Sequence, residues 1–305
     1  MHRPSWYRED EILIVNGDTC GINKDGHEQY IVNPETGVRS NSDIDDKLAE
    51  ACDQIKEGSF ENRDISFHCL SEAISNDIFV PKYYDDAINT DIRELVNENE
   101  DFELITLGQL VEAGHLMMHG GHGSPSSDQR LGEIPYIKVS DLRAGSVNIN
   151  PTNMVPIELA KRFWRGETSG LKPYDLISPE RASKNIGEFC VLMPGQHSIL
   201  LTKEVIVVRA TESADFDQFY LMWALSLKAV RKQWDRIVFM QTNREDVLKR
   251  MFEILIPFPS SEEVAIAVAL PFKNYFETLE ESRKNFINSI NSSRFDHHIH
   301  LGNSE

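Results

Sequence analysis

The sequence lacks the features of membrane, secreted and disulfide-stapled proteins. Among its 305 residues no apolar run approaches the roughly 18 residues of a membrane-spanning helix, and the opening MHRPSWYREDE has no apolar core of the kind found in secretion signals. Its four cysteines lie far apart and form no Cys-x-x-Cys pair, which argues against a disulfide scaffold or a thiolate zinc site. We therefore expect a cytoplasmic protein of about two domains, without a membrane partner.

Motifs of common catalytic sites are also missing. The glycines of HGGHGSP do not form a phosphate-binding Gly-x-x-x-x-Gly-Lys-Ser/Thr loop, no Gly-x-Gly-x-x-Gly follows a strand, and no Gly-x-Ser-x-Gly is present. No segment combines a nucleophile, a base and oxyanion donors. The sequence therefore predicts a protein that is not itself an enzyme and binds no cofactor or metal.

Three histidines leave one catalytic alternative open. His115, His119 and His122 have i, i+4 and i+7 spacing, which on a continuous helix would form a metal-binding face. The glycines among them make a continuous helix unfavourable. A metal-dependent, nuclease-type protein centred on these histidines is the alternative to the non-catalytic interpretation.

The net charge of −18 is unevenly distributed. Residues 1–103 contain 25 acidic and 9 basic side chains, whereas residues 130–250 contain 18 basic and 14 acidic ones. Such an asymmetry indicates separate partners for the two parts, although acidic helices can also simply keep a protein soluble.

The pattern of the chain predicts an α+β protein. Residues 1–100 form a small acidic α/β module, in which β-prone runs at 11–15 and 29–32 flank a loop in a hairpin-like or strand–loop–strand arrangement. A helix begins at Ser42 or Asp43 and ends before Gly58.

The second part is predicted to be mostly β over residues 101–260, followed by a long helix over 261–292 and a disordered tail over 293–305. Pro271 should kink or split that helix, because proline removes a backbone hydrogen bond and clashes with the preceding turn.

Five segments between residues 103 and 290 follow one another in an order that has a counterpart in a known family. They are ELITLGQLVEAG, GEIPYIKVSDLRAG, LKPYDLIS, VVRATESADFDQFYLMWAL and QTNREDVLKRMFEILIPFPSSEEVAIAVAL. Together they resemble the target-recognition domain of type I restriction-modification specificity subunits. The resemblance implies that residues 101–260 form a DNA target-recognition domain and that 261–292 form a spacer helix.

The chain also departs from that family. Specificity subunits carry two recognition domains and two spacer helices, whereas this chain has length for one of each. Glu262-Glu263-Val264 replaces the usual glutamate-glutamine pair at the start of the spacer. The resemblance therefore implies a half-subunit.

Residues 11–57 resemble the C-terminal end of adenine-specific DNA methyltransferases of the type I modification class. EILIVNGDTCGINKDG is similar to their last strand and turn, and DIDDKLAEACDQI to the helix that follows. This implies a detached tail and recognition part, which directs a separate adenine methyltransferase in a restriction-modification or phage-defence system. That partner, not this chain, would bind S-adenosylmethionine.

Two polar loops contain the side chains best suited to read bases in double-stranded DNA. Arg can bond guanine, and Asn or Gln adenine, through paired hydrogen bonds. The base-reading candidates are Arg181, Ser183, Lys184, Asn185, Gln241, Thr242, Asn243 and Arg244. The basic side chains Lys161, Arg162 and Arg165 suit phosphate contacts, and Lys138 and Arg143 complete the predicted DNA-binding set.

The long helix is predicted to bind a protein partner, either the methyltransferase or a second copy of the chain. The apolar residues on its predicted face are Phe272, Tyr275, Phe276, Leu279, Phe286 and Ile290. Two alternatives stay open: the helix folds back on its own β module, or the whole protein is a structural adaptor that has lost DNA binding.

Overall fold

The structure, a computed structural model, describes residues 10–33, 36–60, 62–74, 78–181, 185–238, 247–297 and 299, to which all structural statements apply. The chain divides into two units, Met1–Ile88 and Asn89–Glu305. The division precedes the boundary expected near residue 100, so the acidic segment after residue 88 belongs to the second unit. Within the described residues, no helix has both the length and the apolar character needed to cross a membrane.

The first unit combines two antiparallel strand pairs with one helix. Its elements are β1 (Glu11–Val15), β2 (Tyr30–Val32), β3 (Arg39–Ile44), α1 (Lys47–Glu57) and β4 (Ser66–Leu70). β1 pairs with β4, placing Ile14 opposite Phe67, and β2 pairs with β3. Both predicted strands are present, but they do not form a hairpin with each other.

Helix α1 starts later than the sequence predicted. Strand β3 continues through Ser42 and Asp43, and the side chain of Asp46 caps the helix by accepting a hydrogen bond from the Ala49 N–H at 2.9 Å. The helix ends as predicted at Gly58, whose φ of 66° is a left-handed conformation that glycine adopts without strain.

The second unit has eleven strands and eight α-helices among its described residues. Up to α4 these are α2 (Thr90–Asn97), β5 (Phe102–Thr106), α3 (Leu107–Glu112), β6 (Leu116–Gly120), β7 (Ile134–Ile137), β8 (Leu142–Arg143), β9 (Ser146–Val147), β10 (Met154–Val155) and α4 (Ile157–Trp164). The remainder are β11 (Leu176–Pro179), β12 (Cys190–Val191), β13 (Leu200–Leu201), β14 (Val205–Ala210), α5 (Gln218–Ser226), α6 (Lys228–Lys232), α7 (Trp234–Ile237), α8 (Leu248–Met251), β15 (Leu255–Pro259) and α9 (Glu262–Asn291).

The strands of this unit form three sheets. The largest has the order β6-β14-β11-β12-β9-β8, a second has the order β10-β7-β13, and β5 pairs with β15. Most pairings are antiparallel, but β12 pairs in parallel with β9, and β13 with β7. The α+β class predicted from the sequence is confirmed, including the long C-terminal helix.

Three apolar clusters hold the second unit together. One lies beneath α5 and α9 and includes Tyr220 and Phe276; a second lies between the six-stranded and three-stranded sheets. The third fixes α4 on the three-stranded sheet through Ala160 and Leu200. Burial of these side chains supplies the main driving force for folding.

Helix α9 differs from its prediction in two respects. It is one uninterrupted element, with the exposed Pro271 inside it rather than at a break. It also folds back on its own unit, because the Phe276 ring stacks on Phe219 of α5 and is only 5% exposed. Phe276, assigned from the sequence to a partner surface, is therefore part of the unit's own core.

The remaining members of the predicted partner surface are more accessible. Phe272 and Ile290 are half-buried, whereas Tyr275, Leu279 and Phe286 are exposed. The buried Glu280 carboxylate pairs with Arg283, whose guanidinium also donates to the Pro194 carbonyl at 2.6 Å. These contacts fasten the later part of α9 to the same unit.

Candidate nucleic-acid interface

The two polar loops predicted to read bases are joined at their ends. The first loop begins at Arg181, directly after Glu180, and the second ends just before Val247. The Val247 N–H donates to the Glu180 carbonyl oxygen at 3.2 Å. The start of the first loop and the end of the second therefore meet at one point on the unit, at the end of β11.

Two arginines hold the base of the second loop. The Arg250 Nε donates to the Ile237 carbonyl at 2.9 Å and so ties the residues after the loop to those before it. Arg236 pairs with Glu253 at 3.0 Å across the same base. This role of Arg236 and Arg250 could not be predicted from the sequence, because it depends on contacts across the loop that residue spacing does not encode.

The ends of the first loop are also fixed. Arg181 pairs with Glu204 at 3.1 Å, and Asn185 is buried, with its amide Nδ2 donating to the Leu142 carbonyl at 3.1 Å. Arg143, which is exposed, donates to that same carbonyl at 3.2 Å. The structure thus brings Arg143 and Asn185 together and uses the Asn185 amide to anchor the loop instead of presenting it to solvent.

The tips of both loops lie outside the described residues. These are the predicted base-reading residues Ser183, Lys184, Gln241, Thr242, Asn243 and Arg244. Their assignment stays a prediction, and the structure describes only the residues that flank them.

Helix α4 presents the second group of predicted DNA contacts. Lys161 and Arg162 lie in its last turn, and Arg165 ends it in a left-handed conformation with φ of 58°. Basic side chains at this end interact favourably with the helix dipole. Glu167 forms an ion pair with Lys161 at 2.6 Å, and this hydrogen bond and charge raise the pKa of the lysine above its usual value.

The position of α4 is set by packing around its aromatic residues. The Trp164 indole Nε1 donates to the Ile199 carbonyl at 3.0 Å. The Phe163 ring lies over Gly123, where a Cβ would come within 2.2 Å of the ring. The glycine-rich loop packs closely against α4. This packing requires a glycine at position 123, so no bound ligand is needed to explain that glycine.

Helix α4 and the start of the first loop are anchored on the same short segment of the second unit. Ile199, which accepts the hydrogen bond from Trp164, and Glu204, which pairs with Arg181, are five residues apart, so their Cα atoms are at most about 18 Å apart.

The three histidines do not form the metal-binding face of the alternative hypothesis. The His122 Nδ1 accepts a hydrogen bond from the Leu201 N–H at 3.0 Å, so its Nε2 carries the proton and donates to the Ser169 carbonyl at 2.9 Å. Burial lowers the pKa of His122 and favours this neutral form. His115 contacts Ser213 and His119 contacts Gly120, and the described residues include no cluster suited to a metal ion.

Residues of the sequence motifs shape the scaffold instead of the DNA surface. Asp141 accepts a hydrogen bond at 2.8 Å from the backbone N–H of Lys138, which is itself half-buried. Asp175, nearly fully buried, accepts one from the Lys172 N–H at 2.8 Å and pairs with Arg209. These motif carboxylates therefore close turns within the second unit.

Comparisons with known proteins gave structural matches only. No family model matches the chain, and no curated protein matches it. Solved structures that it resembles include the type I restriction-modification S subunit from M. genitalium, with 14% identity, 65% of this chain and 46% of that chain covered, and a TM-score of 0.37. The chain also resembles the HsdS subunit from Thermoanaerobacter tengcongensis, with 14% identity, 64% of this chain and 46% of that chain covered, and a TM-score of 0.36.

A further resemblance is to the type IIG restriction endonuclease BpuSI, at 11% identity over 70% of this chain and 31% of that chain, with a TM-score of 0.42. The chain spans less than half the length of each of these three proteins. The two S subunits belong to the family whose motifs the sequence resembles. The similarity of residues 11–57 to a methyltransferase stays a prediction.

Proposed function

We propose that this chain is a sequence-specific DNA recognition subunit that directs a partner adenine methyltransferase in a restriction-modification or phage-defence system. The chain would bind double-stranded DNA in the cytoplasm and carry out no catalysis. S-adenosylmethionine would be bound by the partner. The joining of two polar loops at Glu180 and Val247 is the observation that carries the proposal.

Two groups of side chains suit the two parts of DNA recognition, phosphate binding and base reading. Lys and Arg side chains on α4 suit phosphate contacts, which supply affinity without sequence information. The two loops offer Arg, Asn and Gln side chains, which can distinguish bases in the major groove. Both groups belong to the same β-containing unit, and base recognition requires such a common scaffold.

The modest basic excess of residues 130–250 limits the affinity expected of the chain alone. Several basic side chains are already paired with acids, as Lys161 is with Glu167 and Arg181 with Glu204. We therefore expect weak, salt-dependent DNA binding that tightens when the methyltransferase contributes its own phosphate contacts.

The test is selection of bound duplexes from a pool with a randomised central segment, using the full chain at low and moderate salt. A single enriched sequence, lost when residues 241–244 are all replaced by serine, is the expected result. A matched control replaces the four residues Asn62, Arg63, Asp64 and Gln54 of the first unit by serine and should leave the enriched sequence unchanged. The proposal would be contradicted if the full chain enriched no sequence, or if the full chain and the loop variant enriched the same one.

A further inference from the structure

A continuous groove crosses the second unit away from the predicted DNA contacts of α4. Two adjoining cavities of about 270 and 400 Å³ share Ala144, Gly145 and Met222 as walls. Ala144 and Gly145 form the two-residue turn between β8 and β9, with φ of 51° and 73°. A non-glycine residue rarely adopts such a positive φ, and strained backbone of this kind is often found next to functional sites.

One end of the groove is apolar. Phe272 and Tyr275 of α9 line it together with Met222 of α5. Tyr275 is 62% exposed even though its ring lies beside an apolar wall. This end offers an aromatic and sulfur-containing surface suited to a large apolar side chain.

The other end carries a guanidinium without an acceptor. Arg231 lines it, and its Nη1 has no hydrogen-bond partner among the described residues. Charged donors are normally satisfied, so this end suits a ligand that brings acceptor oxygens with which the guanidinium can pair.

The composition of the walls selects the class of ligand. Arg231 is accompanied by the acidic Glu188, so the lining has no net positive charge with which to hold a polyanion such as DNA. The remaining walls are largely apolar. A segment of a partner protein can bring an apolar side chain for the apolar end and a single carboxylate for Arg231.

The length of the groove sets the spacing of the two groups. Met222, on the wall that both cavities share, and Ser226, towards Arg231, are four residues apart on α5, a rise of about 6 Å. The groove extends beyond these two residues, to Tyr275 at one end and to Arg231 at the other. Because an extended peptide rises about 3.3 Å per residue, an apolar side chain and a carboxylate separated by two to four residues, about 7–13 Å, would reach the two ends together.

We propose that this groove is a docking site for an extended segment of a partner protein. The segment presents a large apolar side chain to Met222, Phe272 and Tyr275, and an Asp or Glu carboxylate to Arg231 two to four residues away. The proposal rests on the proposed function in one respect, because Phe272 and Tyr275 belong to the predicted partner-binding face of α9. It does not depend on DNA recognition, because none of these four residues belongs to the predicted DNA-binding set.

The test uses a phage-displayed library of random twelve-residue peptides selected on the full chain. Enriched peptides should combine an aromatic or large aliphatic residue with an acid two to four positions away. Their affinity should fall at least tenfold in Tyr275→Ser. Ile266→Ser removes an apolar side chain of similar exposure from the same helix outside the groove, and should leave the affinity unchanged.

A double-mutant cycle tests the charged contact. Changing the acid of a selected peptide to its amide should weaken binding to the original chain about tenfold and have little effect on binding to Arg231→Gln. The proposal is overturned if no peptide is enriched, if Tyr275→Ser binds the selected peptides normally, or if the amide peptide loses as much affinity with Arg231→Gln. Displacement of the peptides by DNA in a Tyr275-dependent manner would also overturn it, and would assign the groove to nucleic acid.

Discussion

The backbone N–H of Val247 donates a hydrogen bond to the carbonyl oxygen of Glu180 at 3.2 Å. Arg181 begins one polar loop, and Val247 directly follows the other. This contact therefore holds the start of the first loop beside the end of the second. Substitutions in either loop should therefore change the same property, the choice of DNA sequence, while substitutions on α4 should change affinity for all sequences alike.

The first prediction separates base reading from phosphate binding. We expect Arg244→Ala to reduce discrimination between a selected and a scrambled duplex by about 1–3 kcal/mol, the cost of one lost pair of hydrogen bonds to a base. Lys161→Ala should weaken binding to both duplexes equally. Fluorescence anisotropy titrations at fixed salt measure the two affinities. An unchanged affinity ratio in Arg244→Ala would remove Arg244 from the base-reading set.

The second prediction concerns the ion pair on α4. Glu167→Gln should free Lys161 for a phosphate, so that affinity for any duplex rises and the slope of log K against log salt concentration becomes steeper by about 0.9. Glu158→Gln is the matched control, because it also removes one acidic charge, in this case from the first turn of α4, and leaves the ion pair intact. Equal slopes for the two variants would show that Lys161 does not reach a phosphate.

Local signals in the sequence predicted many elements correctly. The short β-prone runs at 11–15 and 29–32 became β1 and β2, Gly58 ended α1, and the segment beginning at Phe102 formed β5 and α3. These features depend on side-chain period and on capping residues, which lie close together in the chain.

Features that depend on distant partners could not be predicted in this way. A hairpin of β1 and β2 was one of the two arrangements expected, but each of these strands pairs with a strand later in the chain. Phe276 was part of an apolar stripe that could pack either on a partner protein or on its own unit. The position of α5 decides in favour of its own unit, because Phe219 of α5 stacks on Phe276. Asn185 was assigned to DNA by residue type, whereas its burial follows from the position of Leu142.

The third prediction tests the buried ion pair between Asp175 and Arg209. Asp175→Ala should destabilise the second unit by about 3–5 kcal/mol, because the Arg209 charge, mostly buried, loses its partner. The more exposed pair between Arg181 and Glu204 is the control, and Glu204→Ala should cost about 0–1 kcal/mol. Urea denaturation of the full chain measures both. Similar values for the two variants would show that Asp175 is not a structural anchor.

The fourth prediction follows from the lowered pKa of His122. The unfolded chain protonates this histidine below about pH 6.5, whereas the folded chain keeps it neutral to a lower pH. The unfolded state therefore binds more protons in that interval, and stability should fall as the pH decreases below about 6.5. Urea denaturation between pH 5 and 7.5 should show a shallower pH dependence for His122→Gln than for the exposed His297→Gln. Parallel pH dependences would contradict a buried neutral His122.

The final prediction concerns the role of α9 in assembly. Leu279 and Phe286 are exposed, and their spacing of seven residues places them on one side of the helix. Removal of residues 272–305 would not test this surface, because it would also remove Phe276, Glu280 and Ile287, which are buried in the unit. We expect the double variant Leu279→Ser/Phe286→Ser to remain folded and to lose association with the methyltransferase or with a second copy.

A control on the same helix completes this test. Ile266→Ser/Leu270→Ser changes two residues of similar exposure on the opposite side of α9, about 200° away at 100° per residue, and should leave association intact. Sedimentation of the chain alone and co-purification with the methyltransferase distinguish the two partners. Tyr275 stays unchanged in both variants, so the groove that it lines is preserved. If the Leu279/Phe286 variant assembles at normal stoichiometry, these two residues are not part of the assembly surface, and the groove at Tyr275 and the acidic first unit become the better candidates.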